Sequence, residues 1–279
     1  MSAPELQGVI DIHAHTGPDS IARSMDAIDL ARLAQNHGMS GLVLKNHHEP
    51  TASLAYLVRK AVPGIAIFGG ITLNLTTGGM NARAVKHMAL VTGGWGRFVW
   101  MGSLDTESQV KHEGAQRPYV KISEDEQLIP AAAEVLSVIA EHDLVLATGH
   151  STADEDLLLV REAQRRGIHN IVVTHAMMAP IHMSLEQMKA ATERGAYIEF
   201  VYNGIVGPHK EFELSDYAAA IRHLGPAHCV LASDLGQAVN PCHTDGLIAF
   251  FAGLREQGIS QSAIDCMSKE NPARLLSLD

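Results

Sequence analysis

The sequence predicts an α/β fold and, within that class, a (β/α)8 TIM barrel. Two observations lead to this prediction: eight short apolar runs alternate with helical patterns, and polar residues gather where those runs end. A length of 279 residues fits one such barrel, and no linker or low-complexity segment divides the chain. We therefore expect a single domain over residues 1–279. An open doubly wound sheet is the alternative fold.

The eight apolar runs are rich in β-branched residues, as is typical of strands buried on both faces of a parallel sheet. Helical patterns lie between them and are joined to the strands by short turns, so successive strands are expected to be parallel. The predicted strands cover residues 9–12, 41–44, 65–71, 97–101, 144–147, 171–174, 196–201 and 229–232.

Helix boundaries carry their own signals. The spacing of Thr152 with Glu155, and of Ser184 with Gln187, predicts a capping box at the start of two helices. Ser215 is predicted to begin a further helix. Glycines follow these helical patterns shortly before the next strand, as expected at helix C-termini.

Composition excludes several classes of function. The chain carries 31 acidic and 21 basic residues, a net charge of −10, which argues against binding to nucleic acid. No apolar run approaches the roughly 20 residues of a membrane span. The N-terminal MSAPELQG lacks the features of a signal peptide, and the three cysteines form no CxxC pair, so we expect a cytoplasmic protein. The expected partner is a small-molecule substrate; a homo-oligomer is an open alternative.

Histidine is unusually abundant, with 16 residues, and several histidines lie where predicted strands end. The carboxyl ends of barrel strands meet at one mouth, where the active sites of such barrels lie. Polar residues at these ends are Asp11, His13, His15, Lys45, Asn46, His47, His48, Thr72, Asn74, Ser103, Asp105, His150, His175, Glu199, Asn203 and Asp234.

Five of these residues are candidate metal ligands. His13 and His15 are two residues apart on one strand, so both imidazoles project to the same face and form half of a tetrahedral site. His150 and His175 each end an apolar strand, and Asp234 follows the eighth strand. Asp234 is a candidate ligand and also a candidate proton acceptor. Satisfied structural histidines, and a helix cap at Asp234, are the alternatives.

Other polar residues of the mouth are candidates for holding substrate. Lys45 could bind an anionic substrate group, pair with a carboxylate, or serve as a ligand of a second metal if it is carboxylated. His47 and His48 are expected to help hold an anionic group, and Asn74 is expected to contact substrate. Glu199 is a candidate substrate contact, a group supporting a ligand, or a member of a plain ion pair.

A metal-free alternative rests on residues 149–153, GHSTA, which are similar to a nucleophile elbow with Ala in place of the last Gly. Ser151 would then be the nucleophile, with Asp234 and His243 as partners. A turn or helix-cap role for Ser151 is simpler, because Thr152 already predicts a capping box there.

The ordered set of HxH after strand one, His after strands five and six, and Asp after strand eight resembles the amidohydrolase superfamily. The segment Asn271-Pro-Ala-Arg-Leu275 is similar to the NPARLL segment near the end of those proteins. The LKNHH, TGH, THAMM and SDLGQ stretches look most like a poorly characterised group within that superfamily. The resemblance covers residues 11–276.

This resemblance implies a distorted TIM barrel with one or two divalent metals at its mouth. It implies that His13, His15, His150, His175 and Asp234 are ligands, and that Asp234 also moves the proton of the attacking water. In single-metal members the histidine of strand six is often catalytic, so His175 has two candidate roles. Zinc is the expected metal, with manganese, iron and cobalt as alternatives.

One departure from the superfamily pattern bears on mechanism. Members with two metals usually carry a carboxylated Lys or a Glu at the end of strand four, whereas this chain reads FVWMGSLDTE there. Glu107 lies far along that segment, so we favour one metal. Single-metal relatives without this group include decarboxylases and hydratases.

The sequence as a whole predicts a metal-dependent hydrolase acting on an amide, ester or lactone of a small anionic substrate. A water activated by the metal would attack the carbonyl, Asp234 would accept its proton, and His175 would stabilise the oxyanion. The alternatives are a metal-dependent decarboxylase or hydratase on the same ligands, and a barrel that binds metal without catalysis.

Overall fold

The alternation of apolar runs and helices produces an eight-stranded parallel sheet in the computed structural model, which describes residues 6–278. All eight predicted strands are present, so the predicted barrel fold is confirmed. Within that range the strands are β1 (Ile10–His15), β2 (Gly41–Lys45), β3 (Ala66–Thr72), β4 (Gly96–Trp100), β5 (Ser123–Glu124), β6 (Gln127–Leu128), β7 (Val145–Ala147), β8 (Ile171–Val173), β9 (Tyr197–Val201) and β10 (Cys229–Ala232).

The barrel closes between its first and last strands. The barrel order is β1-β2-β3-β4-β7-β8-β9-β10, and β5 pairs only with β6 in a separate hairpin. Beyond the end of β10, Asp234 N donates to His13 O at 2.8 Å and His15 N donates to Leu235 O at 2.9 Å. These two hydrogen bonds tie the HxH residues and Asp234 into the same seam of the barrel.

Helices cover the outside of the sheet. Of the described residues, no helix is long and apolar enough to cross a membrane. The helices are α1 (Ala27–Asn36), α2 (Ala52–Ala61), α3 (Ala82–Ala89), α4 (Glu107–His112), α5 (Pro130–Glu141), α6 (Ala153–Arg165), α7 (Leu185–Thr192), α8 (Leu214–Leu224), α9 (His243–Glu256), α10 (Gln261–Asp265) and α11 (Asn271–Leu275).

The predicted helix starts are confirmed in two of three cases. Thr152 and Ser184 are the N-caps of α6 and α7, and each forms the reciprocal capping box. The prediction for Ser215 is wrong, because α8 begins one residue earlier at Leu214. There Glu213 N donates to the Asp216 carboxylate at 2.9 Å, so an acidic cap replaces the expected serine.

Two apolar layers hold the barrel together. The outer layer fills the space between strands and helices and includes Ala14. The inner layer fills the barrel and includes Ile10, Ile12, Phe98 and Trp100. Residues 275 and 276, both leucines at the end of α11, belong to the inner layer as well.

β1 contains an irregularity that decides which residues face the barrel interior. Asp11 pairs with Leu42, and the next paired residue, Ala14, pairs with Leu44, so β1 holds one extra residue over this stretch. Such a bulge reverses the alternation of inward and outward side chains. Ile12 therefore packs in the inner layer, while the residues that follow bring His13 and His15 to the mouth.

Candidate functional site

The mouth of the barrel holds a cluster of two histidines and one carboxylate. The His13 and His15 Nε2 atoms lie 2.9 and 3.1 Å from Asp234 Oδ1. All three residues are buried, and one ligand atom from each lies within 4.8 Å of the other two. Two imidazole nitrogens and a carboxylate oxygen are a donor set that fits zinc or a similar divalent metal.

Glu199, at the middle of β9, fixes the orientation of His13. Its two carboxylate oxygens lie 3.1 and 3.2 Å from His13 Nδ1, and Oε2 also accepts a hydrogen bond from His175 N at 3.0 Å. A carboxylate only accepts hydrogen bonds, so His13 Nδ1 carries a proton toward Glu199, while Nε2 faces Asp234 Oδ1 and would present its lone pair to a metal once its own proton is lost. A carboxylate placed behind a histidine in this way is typical of metal ligands.

The charges of this cluster favour a cation. Burial raises the pKa of Glu199 and Asp234, but the neighbouring histidines outweigh it, so both pKa values lie below their usual range. Burial lowers the pKa of His13, yet Asp234 and Glu199 together raise it to about 9. Two ionised carboxylates thus favour positive charge on the imidazole of His13. A divalent metal at His13 Nε2 would supply that positive charge instead.

Lys45, at the end of β2, is buried beside this cluster. Its Nζ lies 2.9 Å from His13 Nε2 and 5.3 Å from the centre of the Trp100 ring. Burial lowers the pKa of Lys45 to about 8, against the opposing effect of Asp234 and Glu199. Lys45 is therefore not a solvated surface residue, and its amine lies within the site.

His150 and His175 form a second, neighbouring group. Their Nε2 atoms lie 3.2 Å apart, and His150 Nδ1 lies 2.8 Å from Gln109 Oε1 on α4. The amide oxygen accepts, so His150 donates from Nδ1 and its Nε2 faces His175. The centroids of the His175 and His13 rings are 6.1 Å apart, which places this pair at the edge of the cluster.

The backbone is strained at two of these residues. His175 has φ of 26° and Asp234 has φ of 49°, in the left-handed region that residues with a Cβ rarely adopt. Gly149, just before His150, also has positive φ, and a Cβ there would collide with the Gly102 carbonyl. Strain of this kind is concentrated at functional sites, where the surrounding contacts hold it in place.

The remaining candidates, His47 and His48, differ in their contacts with the cluster. His47 stacks on His15 with ring centroids 4.7 Å apart, and its Nδ1 lies 2.8 Å from Ser103 Oγ. His48 is partly exposed and lies 3.5 Å from Thr76 Oγ1, further from the cluster. Of the two, His47 is the one that contacts a residue of the cluster.

Asn74 organises loops at the mouth. Its Oδ1 accepts from the backbone N–H groups of Ser103 and Asp105, while Nδ2 donates to His47 O and Ser103 Oγ. These four contacts use the hydrogen-bonding capacity of the side-chain amide. The geometry therefore favours a structural role for Asn74 over the predicted substrate contact, just as it favours an orienting role for Glu199.

The structure does not assemble the serine-based alternative. Ser151 is fully buried and its Oγ donates to Thr148 O at 2.9 Å. His243 Nε2 lies 3.0 Å from the His15 carbonyl oxygen, not near Ser151. Asp234 contacts the histidine cluster, so the three proposed partners lie apart.

Several residues of the site were missed by sequence reasoning. Asn203 was seen as a strand-end residue only; its Nδ2 donates to Asp234 Oδ2 at 3.2 Å, and Asn240 donates to Asn203 Oδ1. Gln109 lies in the long segment after β4, where no pattern marked it.

Residues 8–199 match a protein family described as a family of unknown function, DUF6282. The chain belongs to the DUF6282 family. The matched range holds His13, His15, His150, His175 and Glu199, whereas Asp234 lies beyond it. No curated protein matches this DUF6282 member.

Solved structures with the same fold cover nearly the whole chain. A candidate 2-pyrone-4,6-dicarboxylic acid hydrolase from Pseudomonas putida has a TM-score of 0.65 at 18% identity, covering 98% of each chain. An amidohydrolase from Burkholderia multivorans, solved with bound zinc, has a TM-score of 0.65 at 15% identity, covering 97% of this chain and 99% of its own. A 2,6-dihydroxybenzoate decarboxylase from Rhizobium has a TM-score of 0.60 at 13% identity, covering 98% and 99%. These neighbours confirm the barrel fold that the amidohydrolase resemblance implied.

Proposed function

We propose that this chain is a metal-dependent hydrolase acting on an amide, ester or lactone carbonyl of a small anionic substrate. The observation that carries the proposal is the convergence of His13 Nε2, His15 Nε2 and Asp234 Oδ1, with His13 oriented from behind by Glu199. A bound divalent metal, with zinc as the first candidate, would polarise the carbonyl and lower the pKa of a water molecule. The shared fold with a zinc-bound amidohydrolase supports this assignment.

The protein's own residues have separable tasks in this proposal. His13, His15 and Asp234 would hold the metal. Asp234 is ionised, and its Oδ2 is held by Asn203 Nδ2, so the carboxylate is fixed in a position to accept a proton. His175, whose Nε2 lies beside that of His150, would donate a hydrogen bond to the developing oxyanion or act as a further ligand.

A metal-dependent decarboxylase or hydratase is the second candidate. It is favoured by the end of β4, which provides no carboxylate to the cluster: Glu107 lies on α4 and pairs with Lys111 at 2.9 Å. These two residues line a cavity of about 600 Å3, together with Arg161 and Arg194. The described residues that line this cavity include none of the histidines of the cluster. A single-metal centre is therefore the simpler arrangement, and the Rhizobium decarboxylase shares this fold.

The first experiment measures metal content per chain by plasma mass spectrometry on protein purified without chelator. We expect about one equivalent of a divalent transition metal. Panels of amides, esters and lactones are then compared with panels of carboxylic acids assayed for CO2 release or hydration. Carbonyl hydrolysis would support the first candidate, and CO2 release or hydration would support the second.

The variant His13→Ala tests the centre itself. Removing one imidazole ligand and the partner of Glu199 is expected to abolish metal retention and turnover together. His87→Ala, which removes an exposed histidine from α3, is the matched control and should keep both. Full activity in metal-free His13→Ala protein would overturn the proposal.

A further inference from the structure

The loop after β1 folds back over the mouth and brings Arg23 to the Asp234 side of the site. Ser24 N donates to Gly236 O at 2.9 Å, and Arg23 forms an isolated antiparallel bridge with Gln237. The Gln237 side chain in turn donates to Asp234 O at 2.9 Å. Arg23 is therefore linked to Asp234 of the histidine–carboxylate cluster through one intervening residue, Gln237.

The Arg23 side chain is buried but only partly used. Its Nε donates to Asp19 Oδ2 at 2.7 Å, and the exposed fractions of the two side chains are 4% and 0%. Its Nη2 is buried and has no hydrogen-bond partner among the described residues. A buried guanidinium N–H without an acceptor is costly, because the group has given up its hydration without compensation.

Asp19 sets the direction of the guanidinium. Its Oδ1 accepts from Ile21 N at 3.2 Å, which fixes the carboxylate that holds Arg23 Nε. The guanidinium is planar, so fixing Nε also fixes the plane in which Nη2 presents its hydrogens.

We propose that Arg23 is a substrate-binding residue whose free Nη2 receives a carboxylate of the substrate at the mouth of the barrel. The inference rests on the proposed function, because it assigns a substrate class to the same site. Lys45 contacts His13 inside the cluster, whereas Arg23 belongs to the loop above Asp234, so the two cations serve different positions. The substrate class is a small carboxylic acid that presents its reacting group to the metal and its carboxylate to Arg23.

The test uses matched pairs of ligands that differ only in charge: acetate with acetamide, benzoate with benzamide, and succinate with succinamide. Binding to metal-loaded protein is measured by isothermal titration calorimetry, so no turnover is needed. A charge-assisted hydrogen bond contributes enough that Arg23→Met should weaken carboxylate binding by about 10- to 100-fold. Amide binding should change by less than about threefold, because a neutral amide gains little from the charge.

Three further variants keep the result interpretable. Arg23→Met leaves Asp19 buried without its partner, so the double variant Asp19→Asn with Arg23→Met removes both charges if the single variant does not fold. Arg32→Met removes an exposed arginine from α1 with the same change in net charge, and should leave all affinities unchanged. Arg23→Lys should bind carboxylates with intermediate affinity, since an ammonium cannot reproduce the planar fork.

The outcomes separate this inference from the proposed function. Loss of carboxylate binding in Arg23→Met, with amide binding and metal content unchanged, supports it. Equal losses for both members of each pair, unchanged carboxylate binding, or no carboxylate binding by the wild type would overturn it. Tighter binding of phenylphosphonate than of benzoate would overturn the choice of a carboxylate. Absence of metal in the wild type would count against the proposed function alone.

Discussion

Two carboxyl groups buried to the same degree have opposite properties in this barrel. Glu199 is 3% exposed, and its oxygens are engaged by His13 Nδ1 and His175 N. Asp156, on α6, is 0% exposed, and neither of its oxygens has a hydrogen-bond partner among the described residues. The pKa of Glu199 is lowered, whereas burial outweighs the nearby Thr148 and Ser151 hydroxyls and raises the pKa of Asp156 well above its usual range.

The difference shows that burial alone does not decide the charge of a carboxyl group in this fold; its neighbours do. A buried carboxyl without cationic partners is most stable as the neutral acid, so Asp156 belongs to the packing between α6 and the sheet. A buried carboxylate kept ionised requires positive charge nearby, and Glu199 has the imidazole of His13. Of these two carboxyl groups, Glu199 is therefore the one suited to support a cation at the mouth.

The largest expected effect comes from removing the charge of Glu199. Glu199→Gln keeps an oxygen that can accept from His13 Nδ1 but makes it neutral, so His13 should become a weaker ligand. We expect metal affinity to fall by about 10- to 100-fold, measured by competition with a chromophoric chelator. Asp156→Asn is the matched control, since it makes the same change at the other carboxyl and should leave metal affinity unchanged. An unchanged metal affinity in Glu199→Gln would show that the charge of Glu199 supports a metal no more than that of Asp156 does.

The second effect concerns stability and pH. The pKa of Asp156 is raised on folding, so its contribution to stability is complete below the unfolded pKa near 4 and is lost as pH rises toward the folded pKa. Across that window the wild type should lose up to about 1.4 kcal/mol per pH unit relative to Asp156→Asn. Urea unfolding of both proteins between pH 4 and 8 measures this difference. Parallel curves for the two proteins would show that Asp156 titrates as an ordinary carboxyl.

The smallest effect is expected at Ser151, whose hydroxyl lies near Asp156 and donates to Thr148 O. Ser151→Ala should lower the free energy of unfolding by about 1 kcal/mol, because one buried hydrogen bond is lost. Turnover should remain within about twofold of wild type, since none of the contacts of His13, His15 and Asp234 involves this hydroxyl. Loss of activity, or labelling of the wild type by a serine-directed phosphonate, would instead point to a nucleophilic serine.

Much of the fold was predictable because it depends on local patterns. All eight strands and the capping boxes at Thr152 and Ser184 follow from periodicity and from residues three apart. The start of α8 was missed because Glu213 and Asp216 cap it in place of the serine that propensity favours. The short β5–β6 hairpin was missed because two-residue strands carry no periodic signal.

The site was predictable in membership but not in contacts. Strand ends of a parallel barrel meet at one mouth, so His13, His15 and Asp234 could be placed together before any coordinates were known. Side-chain directions depend on long-range packing. They decide which nitrogen of His13 faces Glu199, and that the Asn74 amide is fully engaged in hydrogen bonds to the loops. Arg23 lies in an irregular loop whose path is decided by its pairing with residues more than 200 positions away, near Gln237.

The extra residue in β1 divides that strand into two halves of opposite phase. Before it, the residues that face inward are apolar and fill the barrel; after it, the inward residues are the HxH imidazoles. Deleting a single residue there would exchange the inward and outward sets of the distal half, pointing Ala14 at the mouth and both imidazoles at the surrounding helices. The chemistry of this protein therefore depends on the length of β1 as strictly as on residue identity. An alignment that omits the extra residue would match His13 and His15 with positions that face the surrounding helices.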